Sequence, residues 1–87
     1  MKNLIIVTEQ KQIKESLKAI LADKFFIFSV LTPEEALGTI KEKRVDIAII
    51  DTPLTNMPML QFINEIREIE PEIIPIILLS TSGESTI

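Results

Sequence analysis

The 87-residue chain contains neither cysteine nor histidine. Disulfides, thiolate chemistry and the usual zinc ligand sets are thereby excluded. So is any nucleophilic mechanism built on a Ser-His or Cys-His pair. Basic residues are in deficit: nine Lys and Arg stand against thirteen Asp and Glu, a net charge of -4. No basic stripe forms, and nucleic acid is not an expected partner. Long apolar runs are missing too. Leu4-Ile5-Ile6-Val7, close behind Met1-Lys2-Asn3, is too short for a signal-peptide core or a membrane span. The expectation is a cytoplasmic, soluble protein without membrane contact.

What remains is a globular composition, 46% hydrophobic and 25% charged. A chain of this size folds as one domain and buries only somewhat more than ~60% of its unfolded surface, so its margin is small. The organising stretch is Val45-Asp46-Ile47-Ala48-Ile49-Ile50-Asp51. A continuous apolar run suits a central strand of a parallel sheet covered on both faces. This one ends in a carboxylate, at the rim where open α/β sheets place their chemistry. Glu9 and Ser80 close other apolar runs of the same type.

In chain order, residues 4–7 read as a first strand. Ile13, Leu17, Ile20 and Leu21 recur at helical spacing, with Lys11, Lys14, Glu15 and Lys18 on the opposite face. Residues 25–28, aromatic and β-branched, read as a second strand. In Thr32-Pro33-Glu34-Glu35, Thr32 is placed to cap a helix, Pro33 fits its first position, and Glu35 stands where a capping box needs it. That helix runs to about residue 43, weakened by Gly38. Residues 45–50 form the third strand and 52–58 a loop. Met59, Phe62, Ile63, Ile66 and Ile69 mark a third helix, closed by Glu70-Pro71. Residues 73–79 form a fourth strand, with Pro75 near its start, where a missing amide matters least. The order β-α-β-α-β-α-β with right-handed crossovers requires a parallel sheet with helices on both faces.

On these residues the chain resembles the receiver domain of two-component response regulators. The resemblance implies a flavodoxin-like three-layer α/β/α fold with strand order 2-1-3-4, incomplete against the family's pattern. Residues 1–87 form a single receiver-like domain. The family's fourth helix, fifth strand and fifth helix, with the lysine of that strand, have no counterpart. The family's phospho-acceptor carboxylate falls on Asp51. The loop after it is altered: Leu54-Thr55-Asn56-Met57-Pro58-Met59 keeps one methionine of the usual motif, Met57, and loses its proline and glycines. The family's magnesium-binding acid pair falls on Thr8 and Glu9, so one acid is gone. The hydroxyl that bonds the phosphoryl group falls on Ser80, followed by Thr81. Glu9, Asp51 and the backbone carbonyl of Pro53 are the implied magnesium ligands, with weak binding expected. A carboxylate attacks phosphorus only where the developing charge is offset, and here that complement is reduced.

Three readings follow. The first is a phosphoryl-accepting signalling domain served by a sensor histidine kinase, not itself an enzyme. The second is a degenerate receiver acting as a phosphorylation-independent interaction or dimerisation module. The third is a flavodoxin-like domain binding a small ligand, against which the absence of a Gly-rich phosphate loop counts. The substitutions favour the second over the first. The fourth strand becomes a flat, uncharged apolar edge, which natural proteins avoid exposing. A homodimer that covers it, by edge pairing across a two-fold axis or by exchange of elements, is the expectation.

Overall fold

The computed structural model describes residues 1–52, 54 and 57–78. Seven elements alternate along the chain: β1 (Lys2–Val7), α1 (Lys11–Leu21), β2 (Phe25–Val30), α2 (Pro33–Glu42), β3 (Ile47–Asp51), α3 (Met59–Ile69) and β4 (Ile74–Leu78). The four strands form one parallel sheet in the order β2-β1-β3-β4. This is the expected fold class and strand order.

The two central strands carry the core. Leu4, Ile5, Ile6 and Val7 are all 2% exposed or less, at roughly 1.5–3 kcal/mol of burial free energy for each large side chain. Successive side chains point to opposite faces. Ile5 and Val7, with Ala48 and Ile50 of β3, meet Ala36, Leu37 and Ile40 of α2 and Phe62 and Ile66 of α3. Leu4, Ile6 and Ile49 face the other way, toward Leu17 and Leu21 of α1.

That second face is thinly covered. None of the residues of α1 is fully buried. Ile20, expected on its apolar stripe, is 67% exposed, because the stripe that meets the sheet is Leu17–Leu21 at i, i+4. The aromatics of β2 divide similarly. Phe25 and Phe28 pack into opposite clusters. Phe26 is exposed and meets Phe28 edge-to-face, with ring centroids 5.2 Å apart.

Strand limits shift by a few residues, for identifiable reasons. β2 continues through Ser29 and Val30, two residues beyond the apolar run, because Ser29 pairs with Ile6 and the Val30 carbonyl accepts from the Thr8 N–H at 3.1 Å. Val45 is buried in the core, but the β3 ladder begins only at Ile47. Asp46, just ahead of it, is tied to β1: its carboxylate accepts from the Asn3 N–H at 2.8 Å, and its own N–H donates to the Asn3 carbonyl at 2.8 Å. The Asn3 bond, aided by Arg44 and Lys2, holds the Asp46 carboxyl below its ordinary range. Ile73 is likewise buried ahead of β4, and Leu79 lies outside the described residues.

Thr32 caps α2 as expected, its hydroxyl accepting from the Glu35 N–H at 3.2 Å. The return bond of the box goes one residue further back. Glu35 Oε1 accepts from the Leu31 N–H at 2.9 Å, not from that of Thr32. Pro75 is tolerated for a reason the sequence only hinted at. The Ile74 N–H donates to the Asp46 carbonyl and the Leu78 carbonyl accepts from the Thr52 N–H. The even-numbered residues of β4 therefore turn their backbone groups toward β3, and the amide that Pro75 lacks would point to the open edge.

Gly38 sits exposed in the middle of α2, and a Cβ added there would meet nothing within 4 Å. Gly38→Ala is expected to stabilise the domain by about 0.5–1 kcal/mol, since only the unfolded chain's extra freedom is lost. Urea denaturation should show a higher midpoint at unchanged slope; a lower midpoint would mean that α2 needs the glycine.

Candidate functional site

Pairing of Val7 with Ile50 brings the next residues of each strand, Thr8 and Asp51, side by side. The chain turns to β2 on one side of β1 and reaches β3 on the other, so this is the switch point of the sheet, where open α/β folds bind ligands. Thr8 is held extended by its N–H bond to the Val30 carbonyl. Thr52 anchors the other lip, its N–H and hydroxyl both donating to the Leu78 carbonyl at 3.2 and 2.8 Å.

Asp51 is buried, at 8% exposure, and so is Thr8 at 4%. A buried carboxylate needs compensation, and here it comes from neutral donors. The Thr8 hydroxyl donates to Asp51 Oδ2 at 2.7 Å, and the Gln10 side-chain amide donates to the same oxygen at 3.1 Å. The Gln10 backbone N–H in turn donates to Thr8 Oγ1 at 3.0 Å. Three residues thus close a small ring of hydrogen bonds. Among the described residues, no buried side-chain nitrogen or oxygen lacks a partner.

In front of Asp51 lies a cleft of about 210 Å³, lined by Thr8, Glu9, Gln10, Asp51 and Thr52 and walled by Pro33 and Leu54. It is smaller than the ~300–1,000 Å³ of sites that take drug-sized ligands. A phosphoryl group is of a size to enter it.

Of the residues singled out in sequence, Asp51 and Glu9 share this rim, Glu9 exposed and Asp51 buried. Pro53, Ser80 and Thr81 lie outside the described residues. Gln10 was missed. A glutamine at the start of a helix reads as an ordinary helix former, and no local pattern marks its reach to a residue 41 positions away.

Magnesium prefers carboxylate oxygens and waters in octahedral array. Among the described residues, no three acids or other ligating side chains converge. Among the described residues the rim offers two acids, Glu9 and Asp51, and one oxygen of Asp51 already accepts two hydrogen bonds. The third expected ligand, the Pro53 carbonyl, lies outside the described residues. Among the described residues, no helix is long and apolar enough to cross a membrane.

A doubly wound parallel sheet in the order β2-β1-β3-β4 defines a flavodoxin-like fold. Within it, the response regulator receiver domain family matches residues 4–87, and the chain belongs to that family. No curated protein matches it. Solved structures agree on the fold. A CheY-like response regulator receiver domain from Methanospirillum hungatei superposes with a TM-score of 0.85 at 23% identity, over 99% of this chain and 70% of that one. The complex of the histidine kinase ThkA with the response regulator TrrA, the latter from Thermotoga maritima, gives 0.81 at 26% identity, over 100% and 76%. The beryllofluoride-activated NtrC4 receiver domain dimer gives 0.81 at 28% identity, over 88% and 64%. The chain also spans 64% of a similar adenylate cyclase chain from Rhodopirellula baltica. It thus covers about two thirds of the length of the structures it resembles.

Titration with Mg²⁺ should move the amide resonances of Thr8 and Asp51 only weakly, without saturation at millimolar cation, and Asp51→Asn should abolish the effect. Tight binding that survives Asp51→Asn would place the site on other residues.

Proposed function

We propose that this receiver domain presents Asp51 at the phospho-acceptor position but serves mainly as a phosphorylation-independent interaction module. The observation that carries this reading is the ring of Thr8, Gln10 and Asp51. Phosphoryl transfer to a carboxylate needs the charge on the phosphoryl oxygens to be offset. The described rim offers neutral donors, and these already face the carboxylate. The cytoplasm, where receivers meet sensor histidine kinases, is its proposed location. Should Asp51 accept a phosphoryl group, the ThkA–TrrA complex supports a sensor histidine kinase as its donor. The domain itself would turn over no substrate. The small-ligand reading is disfavoured by the size of the cleft. Ser80 is the proposed phosphoryl hydroxyl donor, on the strength of the family match alone.

Acetyl phosphate or beryllofluoride is accordingly expected to modify Asp51 slowly and incompletely. Mass spectrometry showing rapid, stoichiometric acyl phosphate at Asp51 would restore the phosphoryl-accepting reading.

The same reading includes a homodimer through β4. Among the described residues that strand lies at the sheet edge, with Ile74 59%, Ile76 42% and Ile77 42% exposed. The NtrC4 receiver dimer offers a precedent among similar folds. Backbone pairing of two β4 edges about a two-fold axis is handicapped, because Pro75 occupies an outward-facing position and has no N–H to give. Side-chain contact through the isoleucines is therefore the favoured form. Sedimentation at micromolar concentration should show a dimer that Ile76→Lys converts to monomer. A well-behaved monomer that binds no hydrophobic dye would end this part of the proposal.

A further inference from the structure

Gln10 has a role that neither its residue type nor its position foretells. It is the residue immediately ahead of α1, where a side chain ordinarily caps the first turn. Its side chain makes no such bond. It crosses instead to the end of β3 and donates to Asp51 Oδ2 at 3.1 Å. Its backbone serves the same site: the N–H donates to Thr8 Oγ1, whose own proton goes to Asp51 Oδ2. The Gln10 carbonyl accepts from the Lys14 N–H at 3.1 Å, so the start of α1 is fastened at that residue.

A carboxylate oxygen has two lone pairs, and the donors from Thr8 and Gln10 fill both of those on Oδ2. Neither donor can ligate a cation through the hydrogen it presents. A divalent ion seeking Oδ2 must first displace an amide or a hydroxyl. Both donors fall on the same oxygen of Asp51.

We propose that Gln10 is the positioning residue of the Asp51 site: with Thr8 it occupies Oδ2 and bars divalent cations from that oxygen. This deepens the receiver reading, since it concerns the same carboxylate. Cation affinity nevertheless reports on it whether or not Asp51 ever accepts a phosphoryl group.

The test is Gln10→Glu, which keeps the length of the side chain and exchanges a donor for a carboxylate oxygen. Three acids, Glu9, the new glutamate and Asp51, would then stand at the rim, the ligand type that hard cations favour. Mn²⁺ affinity, read by water-proton relaxation, should rise at least about tenfold over wild type. A smaller gain overturns the proposal. Position 10 is exposed and an acid beside a helix N-terminus is favourable, so the variant should fold, which its amide spectrum checks. A second measurement needs no variant of Gln10. Its side-chain amide protons should resonate apart from those of the exposed amides and collapse among them in Asp51→Ala. Gln10 protons that do not respond to Asp51→Ala would equally overturn the proposal. A failed reaction with acetyl phosphate would leave both readouts intact and bear only on the function proposed above.

Discussion

Parallel pairing between β1 and β3 is the contact on which the rest of the molecule depends. It buries the four most enclosed consecutive side chains, Leu4 to Val7, against Ala48, Ile49 and Ile50. It also fixes which residues emerge side by side at the carboxyl rim. A one-residue slip would turn every side chain of β3 to the opposite face, sending Ile50 out of the α2–α3 core and Asp51 away from Thr8. Core and site are thus set by the same register. The Asn3–Asp46 bonds at the far end pin it further, because they join the strands before the ladder begins.

The two faces of the sheet are unequal. Two helices close one face with Phe62 and Ile66 fully buried, while among the described residues α1 is the helix on the other, with none of its residues completely buried. The least enclosed helix is the one whose first residues line the cleft. Its start is held by polar bonds from Gln10 and Thr8 more than by packing. Regions held mainly by such bonds lie at the low end of local stability. The Asp51 carboxylate and the start of α1 are physically joined in this fold.

Much of this was legible in the chain. The β3 run and its terminal acid, the α2 cap at Thr32 and the stop at Glu70-Pro71 are local signals, and each lies where expected. Misjudged limits came from residues whose partners are remote. Ser29 interrupts an apolar run yet pairs with Ile6, and Val45 and Ile73 prolong apolar runs yet pack ahead of their ladders. Ile20 matches the helical period but lies off the stripe that meets the sheet.

The sequence by itself determined the alternation of strand and helix and the acid at the end of the central strand, because periodicity, caps and breakers act over a few residues. Only the tertiary structure decided what faces that acid. Thr8 and Gln10 lie 43 and 41 positions from Asp51. What seemed in sequence the loss of one acid of a pair is in the fold a hydroxyl donating to Asp51, and Gln10 carried no signal at all. Hydrogen bonds between strand ends follow from parallel register and a crossover connection, and no local pattern encodes them.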